Sequence, residues 1–338
     1  MEELPSVDSV AQNTMAEIRA ELELARAEAQ QLARESLSEN TRRLYESDWR
    51  GFLAWVQRAQ TAKPELCALP ATDETLALYV GAHVKMKTSS IARRLAAIRL
   101  MHRWSGYESP FEPAPSFTAV YTGYKRRWAQ GRPSCEPQAA ATEAIVRALV
   151  EEQPANTLIG LRNRALLLVG FDAALRRSEL VALDVEHIRS YPEGIELFLP
   201  VSKSDQAGHG STALVLARAQ SPYCPVRALI SWLDATGISC GAVFRRLHRR
   251  GTTLHLGHER LSGKAVYRLV KNTAADIGVP GRFGAHSLRR GMITSALRSD
   301  QNLAAVQEHA RHKSLSTTSR YNEHAKGFDK HPGRHLLD

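Results

Sequence analysis

Two short stretches decide how this chain is read: His286-Ser287-Leu288-Arg289, and Arg311-His312-Lys313-Ser314-Leu315-Ser316-Thr317-Thr318-Ser319-Arg320-Tyr321. His286 and Arg289 stand three apart, so on a helix they share a face. His312 and Tyr321 are bridged by Ser314 to Thr318, a segment suited to starting a helix. A phenol has an ordinary pKa of about 10 and is a poor nucleophile unaided. It needs a base, or cations that stabilise the phenolate and the charge developing on phosphorus. Arginine meets that need by gripping phosphate oxygens through a bidentate fork. The set therefore suits phosphate chemistry, with Tyr321 as nucleophile on DNA phosphodiesters. Nothing in it requires a metal, because arginine and histidine supply the charge.

Upstream of these stretches, Thr157–Phe171 is apolar on nearly all sides in its second half, which predicts a central buried helix. Ser178 is positioned to cap a helix running through Val185, placing Arg176 just before a helix N-terminus, where backbone N–H groups favour an anion. Residues 187–216 switch to period two, with Ile195, Leu197, Leu199 and Val201 alternating and turns at Pro192-Glu193-Gly194 and Ser204–Gly208. That pattern predicts a small antiparallel sheet with Lys203 at a hairpin rim. A lysine there reaches a leaving 5′ oxygen as general acid; Lys264 and Lys271, on a helical pattern, are weaker rivals. His248, His255 and His258 fall in an Arg-rich, loop-like stretch that faces DNA or solvent rather than zinc. His309 and His312 lack the intervening glutamate of a metalloprotease helix. Helices are predicted over 225–235, 261–277, 286–298, 302–310 and 316–324.

The N-terminal half is helical throughout. Thr14 to Arg34 carries no Gly or Pro and places Met15, Ile18, Leu22 and Ala25 on one stripe, as either a solvated arm or a helix contacting a neighbouring subunit. Residues 38–58 follow with Tyr45, Trp49, Phe52, Leu53 and Val56 on one face. Thr72 caps a helix with Leu76, Tyr79, Val80 and Val84 as its buried stripe. A third helix, from Ser89 or Ser90, turns Ile91, Leu95, Ile98 and Met101 inward and carries Arg93, Arg94, Arg99 and Arg103. A fourth, after Ser116, ends in Lys125-Arg126-Arg127. Two basic strips on one small domain point to DNA phosphates, which set position and salt dependence rather than sequence preference. Residues 129–141, with Gly131, Pro133 and Pro137, read as a linker. The fold expected is mainly α: an acidic helical arm (1–35), a helical domain (36–128), the linker (129–141) and a mixed α/β domain (142–338) with a small antiparallel sheet.

Composition supports a polyanion partner. The net charge of the 338 residues is +10. Residues 1–40 hold nine acids and three arginines, a balance of −6, so the rest carries +16. The four cysteines show no CxxC spacing and read as free thiols of a reducing cytoplasm. No run of apolar residues is long enough for a membrane span, and the acidic N-terminus lacks the apolar core of a signal peptide.

Arg176 in Leu-Arg-Arg-Ser-Glu-Leu, Lys203 on a β-hairpin, His286-x-x-Arg289, and His312 followed by Tyr321 resemble, in order and spacing, the signature of the tyrosine site-specific recombinases. The resemblance spans about residues 36–324. Lys87–Leu95 with His102-Arg-Trp-Ser-Gly is most similar to the Cre-like branch. The resemblance implies a core-binding domain followed by a catalytic domain. It implies that Tyr321 attacks the scissile phosphate to form a 3′-phosphotyrosine while Arg176 and Arg289 hold the non-bridging oxygens. Lys203 then protonates the 5′ leaving oxygen, His286 serves as acid/base or phosphate ligand, and His312 fills a position that is histidine in many integrases. Glu179 braces the Arg176 region. Bond energy is kept in the phosphotyrosine, so no ATP or other cofactor is expected. The expected partner is double-stranded DNA with paired recognition sites, bound by a homotetramer that is monomeric or weakly associated when free. Ala174 and Arg311 stand where many members have glycine, and Arg311 adds a cation beside the site. The alternatives are a telomere resolvase, a protein like type IB topoisomerases, and a non-enzymatic DNA-binding protein on this fold.

Overall fold

The computed structural model describes residues 7–131, 138–200, 210–250 and 253–326. It divides into two compact units, residues 1–135 and 136–338.

The first unit is all-helical: α1 (Val7–Glu35), α2 (Glu39–Ala59), α3 (Asp73–Ala82), α4 (Thr88–Trp104) and α5 (Pro115–Gly131). Side-chain caps set the starts of α2, α3 and α5. The Ser38 hydroxyl accepts from Thr41 N–H (3.3 Å) and the Thr72 hydroxyl from Thr75 N–H (3.2 Å). Asp73 opens α3, yet its carboxylate accepts the Ser116 and Phe117 N–H groups (3.0 and 2.7 Å) and so caps α5 as well. That long-range cap, with Pro115 in the first turn, starts α5 just ahead of Ser116. Phe52, Leu76, Tyr79, Ile91 and Ile98 form a fully buried core. Val84, expected inside, is exposed because α3 ends at Ala82 and its cap, His83, turns the chain away. Residues 129–131, expected to open the linker, close α5 instead.

The second unit opens with α6 (Glu143–Glu151) and the buried α7 (Leu158–Asp172). A short α8 (Arg177–Ala182) and a single 3-10 turn (Val185–His187) lead into β1 (Ile188–Tyr191), β2 (Gly194–Leu199) and β3 (Ser211–Leu216). These pair antiparallel in chain order, with Ile195 opposite Val215 and Leu197 opposite Ala213. Ile195, Leu197 and Leu199 point inward, as their alternation requires. After α9 (Pro225–Thr236) comes a second antiparallel pair, β4 (Arg245–Arg250) and β5 (Thr253–Arg260). The sequence reading took this stretch for a loop. It is a hairpin because Leu247 and Leu256 face each other and rest on the main core, while the arginines and histidines occupy the other positions. The helices α10 (Gly263–Asp276), α11 (Ala285–Arg298), α12 (Leu303–Ala310) and α13 (Leu315–Lys326) complete the unit.

One close approach positions the site. The segment before α6 lies on α11, with Ala139 N–H donating to the Arg282 carbonyl (2.8 Å) and Ala141 N–H to the Ser287 carbonyl (2.9 Å). Gly291 permits this, because a Cβ there would overlap the Ala141 carbonyl. Gly51, inside α2, has open space around it. Gly291→Ala is therefore expected to cost about 1–3 kcal/mol or more, while Gly51→Ala gains about 0.5–1 kcal/mol. Urea denaturation of the two variants checks the contrast.

Candidate active site

The site forms where the ends of α7, α11 and α12 meet the start of α8. The chain leaves α7 through Ala174, which sits in the left-handed region at φ +46°. That turn aims the Ala174 carbonyl at two arginines: Arg289 Nη1 donates to it at 2.7 Å and Arg311 Nη2 at 3.2 Å. Arg176 then caps α8. Ser178, expected as the cap, lies inside the helix, because Glu179 reaches back to accept the Arg176 N–H at 2.8 Å. The helix stops at Ala182, short of the Val185 end expected from sequence.

Arg289 projects from α11 into the interior and is 1% exposed. Its terminal nitrogens donate to the carbonyls of Ala174 and Ala310, which hold the plane of the guanidinium. Burial first, then the positive charge of Arg176 and Arg311, lowers its pKa to about 10, so it stays a cation at neutral pH. His286 lies one turn earlier with an exposed edge. Partial desolvation, then the cations Arg289, Arg290 and Arg176, push it below the ordinary imidazole value.

Glu179 is the counter-charge. Only 3% exposed, it pairs with Arg176 and, at 3.4 Å, with Arg311. Burial alone would raise its pKa. The hydrogen bonds from the Arg176 backbone and side chain, and the positive charge of Arg176 and Arg311, outweigh burial and hold it below the usual carboxylate range.

Arg311 adds a cation beside the site, as its place in the sequence suggests, and is anchored within the protein. It ends α12 in the left-handed conformation (φ +54°) and turns its guanidinium inward, where that group binds the His309, Ala173 and Ala174 carbonyls and Glu179. Its own carbonyl accepts from Arg176 Nη2 at 3.3 Å. No local pattern in the sequence marks an arginine as left-handed and buried, so only its place in a glycine position was legible.

His312 follows, and its ring stacks on Tyr321 of α13 (centroids 5.9 Å apart, planes at 16°). Its Nδ1 is hydrogen-bonded to the buried Thr318 hydroxyl at 2.8 Å, which fixes the ring. Desolvation, then Arg289, Arg176, His286 and Arg311, lowers its pKa to about 4. On the other side, the Arg290 guanidinium lies 5.1 Å from the Tyr321 ring centre. Thr318 and Arg290 escaped the sequence reading: the first is hidden in a Ser/Thr run, the second in an Arg-Arg pair.

The structure thus brings Arg176, Glu179, Arg289, His286, His312 and Tyr321 of one chain into one cluster. Lys203 lies outside the described residues. Among those residues, no three His, Cys, Asp or Glu side chains are grouped to hold a metal ion.

The basic residues of the first unit fall into two groups. Arg93 is spent on the buried Asp48 (Nε–Oδ2 2.6 Å), and Arg94 donates to the Tyr79 hydroxyl (3.0 Å), so these two brace their own core. Arg99 lies over Phe111 and Lys125 over Tyr121, both with exposed side chains. Arg103, Arg126 and Arg127 are exposed.

The model of the phage integrase family matches residues 141–327. A relative named integrase/recombinase xerD homolog, from Selenomonas ruminantium, is 33% identical over 87% of this chain and 84% of its own length.

This chain belongs to the phage integrase family, the tyrosine recombinases.

Tyrosine recombinase XerC of Ralstonia pickettii is 30% identical to the recombinase over 69% of this chain and 68% of its own. The fold is shared with the XerH site-specific recombinase bound to palindromic difH substrate in a post-cleavage complex. The TM-score is 0.58 at 15% identity, covering 86% of this chain and 80% of the other.

Two outcomes are expected. Removing Glu179 leaves Arg176 and the buried Arg311 without their carboxylate, so Glu179→Ala is expected to cost about 3–5 kcal/mol in urea denaturation. The second concerns pH. An unfolded histidine takes up its proton near pH 6.5, whereas folded His312 does so only at about 4. The unfolded state therefore binds more protons between those values, and stability falls as pH drops through that window. His312→Gln flattens the fall; parallel stability–pH curves for the two proteins would reject this account.

Proposed function

We propose that the recombinase cuts and rejoins DNA at specific sites through a 3′-phosphotyrosine, with Tyr321 as nucleophile. The observation that carries this reading is the position of Tyr321: stacked on His312, beside the Arg290 guanidinium, and on a helix that packs against α11, which carries the buried Arg289 of the same chain. The phenolic oxygen bonds to phosphorus as the bond from phosphorus to the 5′ oxygen breaks. The phenolic proton passes to His286, whose pKa burial and then the neighbouring cations hold below the ordinary imidazole value, leaving it able to accept a proton. The leaving 5′ oxygen takes a proton from Lys203. Arg176 and Arg289 hold the non-bridging oxygens, where charge accumulates in the transition state. Religation reverses these steps, with a 5′ hydroxyl attacking the phosphotyrosine, so the phosphodiester is conserved without ATP.

The substrate is duplex DNA carrying paired recognition sites, bound by four copies in the cytoplasm. Arg99, Arg103, Lys125, Arg126 and Arg127 of the first unit contact phosphates. Arg93 and Arg94, tied to Asp48 and Tyr79, contribute by shaping that surface. No described helix is long and apolar enough to cross a membrane.

The test uses a site-containing duplex with a nick beside the cleavage position, so that the cleaved fragment escapes and the adduct accumulates. Wild-type protein is expected to give a covalent adduct that survives denaturing electrophoresis, and Tyr321→Phe none, with DNA binding retained. Arg289→Ala slows adduct formation by roughly 100- to 1,000-fold. An adduct that persists in Tyr321→Phe, or relaxation of supercoils with no site preference, would overturn the proposal.

A further inference from the structure

Helix α1 has a face that none of the described residues covers from Ile18 to Ala29. It runs 29 residues, from Val7 to Glu35. Every residue from Ile18 to Ala29 is exposed, including Ile18 (45%) and Leu22 (63%), and Leu32 is 57% exposed. A helix of this length draws most of its stability from packing an apolar stripe against something else.

The stripe repeats with a period of seven. Assigning Leu22 and Ala29 to a positions puts Ile18, Ala25 and Leu32 at d, and Met15 begins the series at a by sequence. The charges flanking the seam are sorted by side. Arg19 and Arg26 occupy e positions, while Glu21, Glu28 and Glu35 occupy g. Between two parallel, in-register copies, each g residue faces the e residue five positions later in the partner, so Glu21 of each copy meets Arg26 of the other. Between antiparallel copies, g faces g and e faces e, which sets glutamate against glutamate and arginine against arginine. The charge order therefore complements a second copy in one orientation only.

We infer that α1 is a self-association element: it pairs with the α1 of a second copy of this chain as a parallel two-stranded coiled coil. The alanines at Ala25 and Ala29 let the backbones approach closely but bury little area, so the contact is reversible and gains strength where copies are already gathered. The inference is independent of the site chemistry and stands whether or not Tyr321 is the nucleophile.

Charge reversal in the full-length protein tests both the surface and its orientation. Sedimentation equilibrium across the micromolar range is expected to show wild-type dimers. Glu21→Arg alone and Arg26→Glu alone each set like charges against each other twice per dimer, and each is expected to weaken association roughly tenfold. An equimolar mixture of these two variants restores both opposite-charge pairs and associates at least as well as wild type. Leu22→Glu abolishes the dimer. Leu24→Glu, off the seam at a c position, leaves it intact, and unchanged circular dichroism confirms that the variants are folded. Three results would overturn the inference: a monomeric wild type throughout the range, single reversals that associate like wild type, or a mixture that fails to recover. The last of these would point to an antiparallel partner or to docking of the acidic helix on a basic surface.

Discussion

A single carboxylate holds the catalytic unit's cationic centre together. Arg176, Arg289 and Arg311 converge from three separate places in the chain, and their mutual repulsion in a partly dehydrated space opposes folding. Glu179 lies among them, ion-paired to two. It also caps α8 by accepting the Arg176 N–H. One side chain thus starts a helix, orients one arginine and neutralises another. Backbone carbonyls do the rest: those of Ala173, Ala174, His309 and Ala310 take the guanidinium donors that Glu179 does not reach. The arrangement sets three arginines against one carboxylate and so leaves the cluster with a net positive charge. It comes at the cost of two non-glycine residues, Ala174 and Arg311, in left-handed backbone.

The same electrostatics assign states to the histidines. Burial, and then the neighbouring cations, disfavour a positive charge on His286 and His312, so both are neutral at physiological pH. A neutral imidazole is able to accept a proton and to hydrogen-bond through either nitrogen.

Most of the site was legible in the sequence because its residues lie in short motifs whose spacing survives folding. His286 with Arg289 is a local relation that helix geometry converts directly into proximity, and His312 comes to Tyr321 because the short turn after α12 folds it back onto α13. What was not legible depends on contacts between distant segments. Arg93 and Arg94 looked like part of a basic strip, but Asp48 and Tyr79, on two other helices, claim them. Arg311 reads from the sequence as a further cation beside the site, and only the convergence of α7, α8 and α12 shows its guanidinium pointing inward. The β4–β5 hairpin was hidden by its arginines and histidines, since the leucines that seat it are too few to make a period-two signal. The cap of α8 moved from Ser178 to Arg176 because a glutamate three residues on outcompetes a serine that lies inside the helix.

The latch on α13 has a further consequence for how the tyrosine is aimed. Thr318 bonds the edge of the His312 ring, and Tyr321, three residues later on the same helical face, stacks on its plane. Two adjacent points on one helix therefore grip one flat object. Each residue of an α-helix advances by about 100° around the axis, so a slip of one residue would swing the phenol away from the arginines while leaving α13 intact as a helix. The imidazole acts as an index mark for rotation: it selects one angular setting of α13 out of several that its short, mostly polar sequence would otherwise allow.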